Sequence, residues 1–286
     1  MIFLILSIFC SVITVSFFKI FERFKVDTFQ AIVGNYFVCV ITGNLISEKA
    51  IINTEFWNEP WFPFTILLGF LFITIFYCIA ETTQKLGVSV SMVAAKLSVV
   101  IPVLFAVLFY QEQISLIKIG GITLSLLAVF LISKKDKNTS SITKNSWVLP
   151  LIVFAGSGVI DTLIKFIESK FIPMSNAGNI LSTAFLVAYI LGMFFLAYQN
   201  IKHNKNIVTK NILWGFALGV PNYFSMFFLV KTLENFNASH IFPVNNIGIV
   251  AFSTLASLLF FKEKLSKINF SGLALAIVSI ILISLT

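Results

Sequence analysis

Polar residues in this chain gather in short clusters, and between them lie ten runs made almost wholly of apolar side chains. The runs cover residues 2–18, 29–46, 61–83, 89–110, 114–132, 147–164, 177–198, 212–230, 239–261 and 268–285. At 1.5 Å per residue each is long enough, or nearly so, to cross a hydrocarbon core of about 30 Å as a helix. Membrane strands do not fit, because the runs are too long and lack apolar/polar alternation. The pattern predicts an all-α integral membrane protein with ten transmembrane helices. No basic segment precedes the first run, so it is expected to be retained as a helix rather than cleaved as a signal peptide.

Most connections are short. The exception is the polar segment 134–146, which divides the chain almost in half and reads as a linker. The halves match each other. Shifting residues 109–133 by 151 lays them on 260–284 with nine of 25 positions identical, including Glu112/Glu263, Ser115/Ser266 and Gly121/Gly272. A shift of 146 pairs Lys19 with Lys165, Glu22 with Glu168, Gly69 with Gly215 and Tyr77 with Tyr223. The polar and small residues carry the match, since chance accounts for several Leu and Ile coincidences. Two five-helix repeats are expected, 1–133 and 147–286. An odd helix count per copy inserts the second copy upside down, which gives the inverted repeats that recur in secondary transporters.

Each repeat has a Glu-x-x-Ser element at the start of its fifth helix, followed by a Gly and an apolar tail. Ten short-looped helices in two such repeats resemble the EamA-type transporters of the drug/metabolite transporter superfamily. The resemblance spans essentially the whole chain and implies a ten-helix membrane carrier.

Composition agrees with a bilayer environment. Apolar AVILMFWYC residues make up 58% and charged residues 11%, which excludes a water-soluble globule. Cys10, Cys39 and Cys78 are widely spaced inside apolar runs and form no CxxC, so neither a disulfide framework nor a thiolate metal site is expected. With two His in the chain, no metal or cofactor is expected.

The net charge of +8 reads as topology rather than nucleic-acid binding, because nearly all the basic residues lie in connections and not on one aromatic-interleaved face. Connections after the odd-numbered helices hold 14 Lys and Arg residues. Those after the even-numbered helices hold four: Lys49, Lys165, Lys170 and Lys231. The positive-inside rule then places the odd connections in the cytoplasm and both termini outside, in a bacterial inner membrane.

Charges within apolar runs cost about 2.5–3.5 kcal/mol each on insertion scales, so each needs an account. Lys96 sits in the fourth run and Glu81 in the third, at similar distances from their shared connection. They are read either as a buried ion pair or as the lining of a polar cavity in which Lys96 meets an anionic or carbonyl group. The second is preferred, because two charges in lipid are a poor source of stability. The repeat places Asn245 and Asn246 beside the level of Lys96, in a helix that opens with His240 and Pro243. Pro221 in the eighth run removes a backbone donor and frees a carbonyl. Tyr77, Asn222, Tyr223, Asn245 and Asn246 are therefore candidates for a hydrogen-bonding wall, with interhelical polar contacts as the alternative.

Glu81, Asp161 and His240 are candidate proton carriers, although Asp161 and Lys165 are spaced i,i+4 and can satisfy each other. Glu112 and Glu263, at helix starts, are expected to cap helix dipoles. Gly215-x-x-x-Gly219 is expected to let the eighth helix pack closely against a neighbour.

Arg23 is the only arginine, which argues against phosphorylated substrates, since these are usually clamped by several cationic groups. The expected function is a secondary carrier for a small polar or amphipathic metabolite, such as an amino acid or aromatic compound. No P-loop offers ATP-driven transport. No HExxH or GxSxG points to an enzyme. A non-transporting scaffold or receptor subunit is the alternative. The expected partners are the lipid bilayer and a small-molecule substrate; no nucleic acid is expected, and a homodimer is compatible with the sequence.

Overall fold

The structure is a computed structural model. It describes residues 1–46, 58–102, 104–105, 115–133, 147–171, 177–204, 206–233, 238–263 and 265–284. The linker 134–146, Glu112 and the side chains of Lys165, His240 and Pro243 lie outside what is described.

Ten helices form among the described residues: α1 (Ile2–Phe24), α2 (Thr28–Ile46), α3 (Phe62–Leu86), α4 (Val88–Leu97), α5 (Leu116–Ser133), α6 (Val148–Phe171), α7 (Ala177–His203), α8 (Thr209–Leu233), α9 (Ala238–Leu259) and α10 (Lys267–Ser284). Five segments are long and apolar enough to cross a membrane: Ile2–Phe24, Thr28–Ile46, Phe62–Leu86, Ile180–His203 and Thr209–Leu229. Val88–Pro102, Ile119–Ala128, Val148–Ile164, Val244–Leu259 and Lys267–Ile283 are shorter apolar helices. Exposed large apolar side chains such as Phe9, Phe130, Phe194 and Leu259 recur around the helices, a surface suited to lipid and not to water.

Local chemistry sets the helix ends. α1 stops where Lys25 turns left-handed at φ 52 and Val26 N–H bonds back to the Phe21 carbonyl at 2.9 Å. Asp27 then caps α2 through Gln30 N–H at 3.0 Å. α10 begins with a reciprocal capping box: Asn269 N–H donates to Ser266 Oγ at 3.2 Å, and Ser266 N–H donates to Asn269 Oδ1 at 3.1 Å.

Pro221 and Pro102 act differently on their helices. α8 runs unbroken through Pro221. The fourth apolar run is instead interrupted by a turn at Ser98–Val99 before helical geometry resumes. Pro102 explains this break: it has no N–H to offer the Ser98 carbonyl four residues back. Ile101 N–H takes that carbonyl at 2.8 Å, tightening the turn.

The chain divides into two compact units. Unit 1 comprises Met1–Ile20, Cys78–Asp161 and Ser225–Thr286. Its core joins Val90, Val93 and Leu97 of α4 to Ala128 of α5, Val250 of α9, and Ala276 and Ile280 of α10. Here α5 runs antiparallel to α10: Ser279 Oγ donates to the Gly121 carbonyl at 2.8 Å, and Asn269 Nδ2 to the Leu131 carbonyl at 3.4 Å. α4 packs along α9, and its N-terminus meets the C-terminus of α9, where the Ser89 and Ser257 hydroxyls lie 2.8 Å apart.

Unit 2 comprises Phe21–Tyr77 and Thr162–Phe224. α2 packs against α7, again antiparallel, through Phe29–Phe195 (5.0 Å between centroids), Phe37–Tyr189 (5.4 Å) and Tyr36–Phe185 (5.9 Å). α8 closes on α2 through its small residues. A Cβ on Gly215 would strike the Ala31 backbone, and one on Gly219 would lie 2.8 Å from the Asn35 carbonyl. The GxxxG face therefore packs closely, as the sequence suggests. In both units the antiparallel partners are helices that stand five apart along the chain.

Candidate functional site

α4 is enclosed on nearly every side. Val88 to Ala95 and Leu97 are buried, and Lys96 alone is half-buried. Ser98, at the turn that ends the helix, is fully buried. Its hydroxyl has one hydrogen and two acceptors, the Ala95 carbonyl at 2.6 Å and Asp161 Oδ2 at 3.3 Å. Ala95 holds the shorter contact, so the carboxylate is only weakly served. A carboxylate accepts about four hydrogen bonds when fully satisfied, and Ser98 supplies the only one that Asp161 receives among the described residues.

Asp161 has an unusual position on α6. It stands four residues from Ser157 and eight from Val153, both buried, so it belongs to the inward stripe of the helix. The outward stripe holds Leu151, Ile152, Ala155 and Val159, all exposed. Asp161 is nevertheless exposed, and it belongs to unit 1 together with Lys96 and Ser98.

Lys96 and Asp161 interact electrostatically. Among the described residues they do not close into an ion pair, and no hydrogen-bond partner falls to Lys96 Nζ. Glu81, expected near Lys96, instead pairs with Lys85 one turn along its own helix at 2.5 Å. The reason is reach: an i,i+4 lysine is already at hand, whereas Lys96 is carried on α4 toward α6. The carboxylate that acts on Lys96 is thus Asp161. The alternative partner of Asp161, Lys165, is not among the described side chains.

Asn245 of α9 is buried, and its Oδ1 has no partner among the described residues. The Ser89–Ser257 contact sets the antiparallel register. That register brings Asn245 across from residue 101, about a turn and a half beyond Lys96. Asn246 beside it is half-buried. Unit 1 therefore holds a cation and a weakly served carboxylate near the end of α4, with the buried amide of Asn245 about a turn and a half further along rather than level with Lys96 as the repeat suggests.

The remaining wall candidates belong to unit 2. Asn222 Nδ2 donates to Asn35 Oδ1 at 3.0 Å and approaches Cys39 Sγ at 3.7 Å. Tyr77 meets Phe29 edge-on at 5.8 Å, and Tyr223 packs edge-on against Phe224 at 5.8 Å. Asn222 here ties α8 to α2. Asn35 and Cys39 were not singled out in the sequence, and both are fully buried. A signal was present: Asn35 and Cys39 are one turn apart, on the face of α2 that meets Gly219.

No metal-binding cluster of His, Cys, Asp or Glu occurs among the described residues.

Comparison with known proteins sets this geometry in context. The EamA-like transporter family matches residues 1–134 and 146–285. An uncharacterized protein of Haemophilus influenzae (strain ATCC 51907 / DSM 11121 / KW20 / Rd) is 28% identical over 287 residues, covering 97% of this chain and 95% of the relative. A protein of known crystal structure superposes with a TM-score of 0.62 at 14% identity, covering 99% of this chain and 96% of the other, a likeness of fold alone. With apolar helices throughout and both halves matched, the chain is a membrane-embedded member of the EamA-like transporter family.

Proposed function

We propose that the protein is a secondary carrier that moves a small polar or amphipathic metabolite, such as an amino acid or aromatic compound, by alternating access. The observation that carries this reading is the open pair Lys96 and Asp161. Two opposite charges within an apolar bundle are costly to keep, and left to themselves they gain by closing on each other. Held apart, they suit a ligand that places an anionic or carbonyl group at Lys96 and a donor at Asp161. Asn245 Oδ1 and Asn246 would add hydrogen bonds to a part of the ligand that extends about a turn and a half beyond Lys96.

The antiparallel pairing of α2 with α7, α4 with α9 and α5 with α10 supports an inverted repeat of residues 1–133 and 147–286. In such a fold the two copies rock about a central site. The basic connections support both termini outside a bacterial inner membrane. Asp161 is our choice for a proton-carrying residue, ahead of Glu81, which is committed to Lys85; His240 is the third candidate.

The test is uptake into proteoliposomes, screening amino acids, amines and small aromatics with and without an inward proton gradient. A solute that accumulates with the wild type and not with Lys96→Ala supports the proposal. Failure of every solute to move, with the protein folded in the vesicles, overturns it in favour of a scaffold or receptor role.

A further inference from the structure

α4 starts without a cap of its own. Gly87, which precedes it, has no side chain, and its backbone is left-handed at φ 106. The exposed N–H groups of the first turn must find an acceptor elsewhere. They find one on a distant part of the chain. Glu263, beyond the end of α9, presents its carboxylate to Val88 N–H, which lies 3.2 Å from both Oε1 and Oε2.

The contact is built on both sides. Lys262 takes the left-handed conformation at φ 52, turning the chain back after α9, and Glu263 N–H is fixed by the Ser257 carbonyl at 3.0 Å. Ser257 in turn meets Ser89 in the first turn of α4. Gly87 is required twice here: a Cβ would be strained at this φ and would lie 2.6 Å from Glu263 Oε2. Glu263 does not cap α10, as its place in the sequence suggests, because Ser266 and Asn269 already do so.

We infer that Glu263 is a positioning residue for Lys96: its carboxylate closes the N-terminus of α4 and fixes where that helix presents its lysine. The inference rests on the proposal that Lys96 belongs to the substrate site.

The test needs no substrate. In a background with Cys10, Cys39 and Cys78 replaced by Ser, Lys96→Cys and Asn246→Cys report local access through their rates of reaction with 2-sulfonatoethyl methanethiosulfonate. Adding Glu263→Ala should change the rate at position 96 by about fivefold, the population shift that losing a typical N-cap produces, and leave position 246 within about twofold. Glu263→Gln, which keeps an acceptor oxygen, should restore most of the parent rate. Equal effects of Glu263→Ala at both positions would mean general loosening and overturn the inference. So would an unchanged rate at position 96. If Glu263→Ala is not recovered as monodisperse protein, Glu263→Asp, one methylene too short to reach Val88, is read in the same way. Labelling that follows this pattern while no solute moves in vesicles would sink the transport proposal and leave the positioning intact.

Discussion

The hydroxyl of Ser98 stands 3.3 Å from Oδ2 of Asp161, so the turn that ends α4 touches a carboxylate of α6. The same turn follows directly on Lys96. A break forced by Pro102 thus brings cation, hydroxyl and carboxylate to one place in unit 1.

Removing either charge should abolish transport without unfolding the protein. Lys96→Ala and Asp161→Asn are each expected to reduce uptake about 30- to 1,000-fold, equivalent to about 2–4 kcal/mol for a charged group that meets the substrate directly. Ser98→Ala removes one hydrogen bond to a charge and should lower uptake about tenfold. Initial uptake rates in proteoliposomes, compared at matched melting temperatures, test both expectations. Wild-type rates in Lys96→Ala would remove it from the site.

Asn245 offers a test in which stability and activity move in opposite directions. Its Oδ1 is buried without a partner among the described residues, so Asn245→Leu should leave the melting temperature unchanged or raise it by removing a polar group whose burial costs about 1–3 kcal/mol. Uptake should fall at the same time. A stability loss with normal uptake would mark Asn245 as a packing residue.

The two glycines Gly215 and Gly120 should respond to the same change with opposite sign. Gly215→Ala drives a Cβ into the Ala31 backbone and should destabilise by about 1–3 kcal/mol. Gly120→Ala meets nothing within 4 Å and should stabilise α5 by about 0.5–1 kcal/mol through helix propensity. Thermal melting in detergent measures both.

Asn222→Leu should cost stability and spare transport. The amide it removes holds Asn35 at 3.0 Å, and interhelical hydrogen bonds of this kind contribute about 0.6–1.7 kcal/mol in membranes. Loss of uptake at unchanged melting temperature would return Asn222 to the substrate wall.

Orientation is open to a direct reading. A C-terminal fluorescent fusion that matures only in the cytoplasm should stay dark, while a periplasmically active phosphatase fusion at the same point should be active. A bright fluorescent fusion would reverse the charge-based topology.

Much of the candidate site was present in the sequence as an anomaly without an address. Lys96 stood out because a lone ammonium in an apolar run is expensive wherever the helix lies. Asp161 was also visible, but spacing along the chain could offer it only Lys165, and spacing offered Lys96 only the neighbouring run with Glu81. Both pairings are local guesses, and the partner of a buried charge is chosen by which helices touch. Pro221 is conspicuous in mid-run as a residue that frees a backbone carbonyl. Its helix continues regardless, whereas Pro102 breaks α4, where a short turn is stabilised by the Ile101–Ser98 bond. Glu263 was recognised as a capping carboxylate and assigned to the wrong helix, because a cap can come from any chain that reaches the N-terminus.

The sequence by itself determined the helical class, the ten apolar segments, the internal match between halves and the charge asymmetry of the connections. These depend on hydropathy and spacing, which each segment carries alone. Tertiary structure decided which helix faces which: α4 with α9, Lys96 toward Asp161, and Glu263 on Val88. Such choices depend on contacts between residues far apart in the chain, where a half-turn of one helix exchanges a charge on the inward face for one facing lipid.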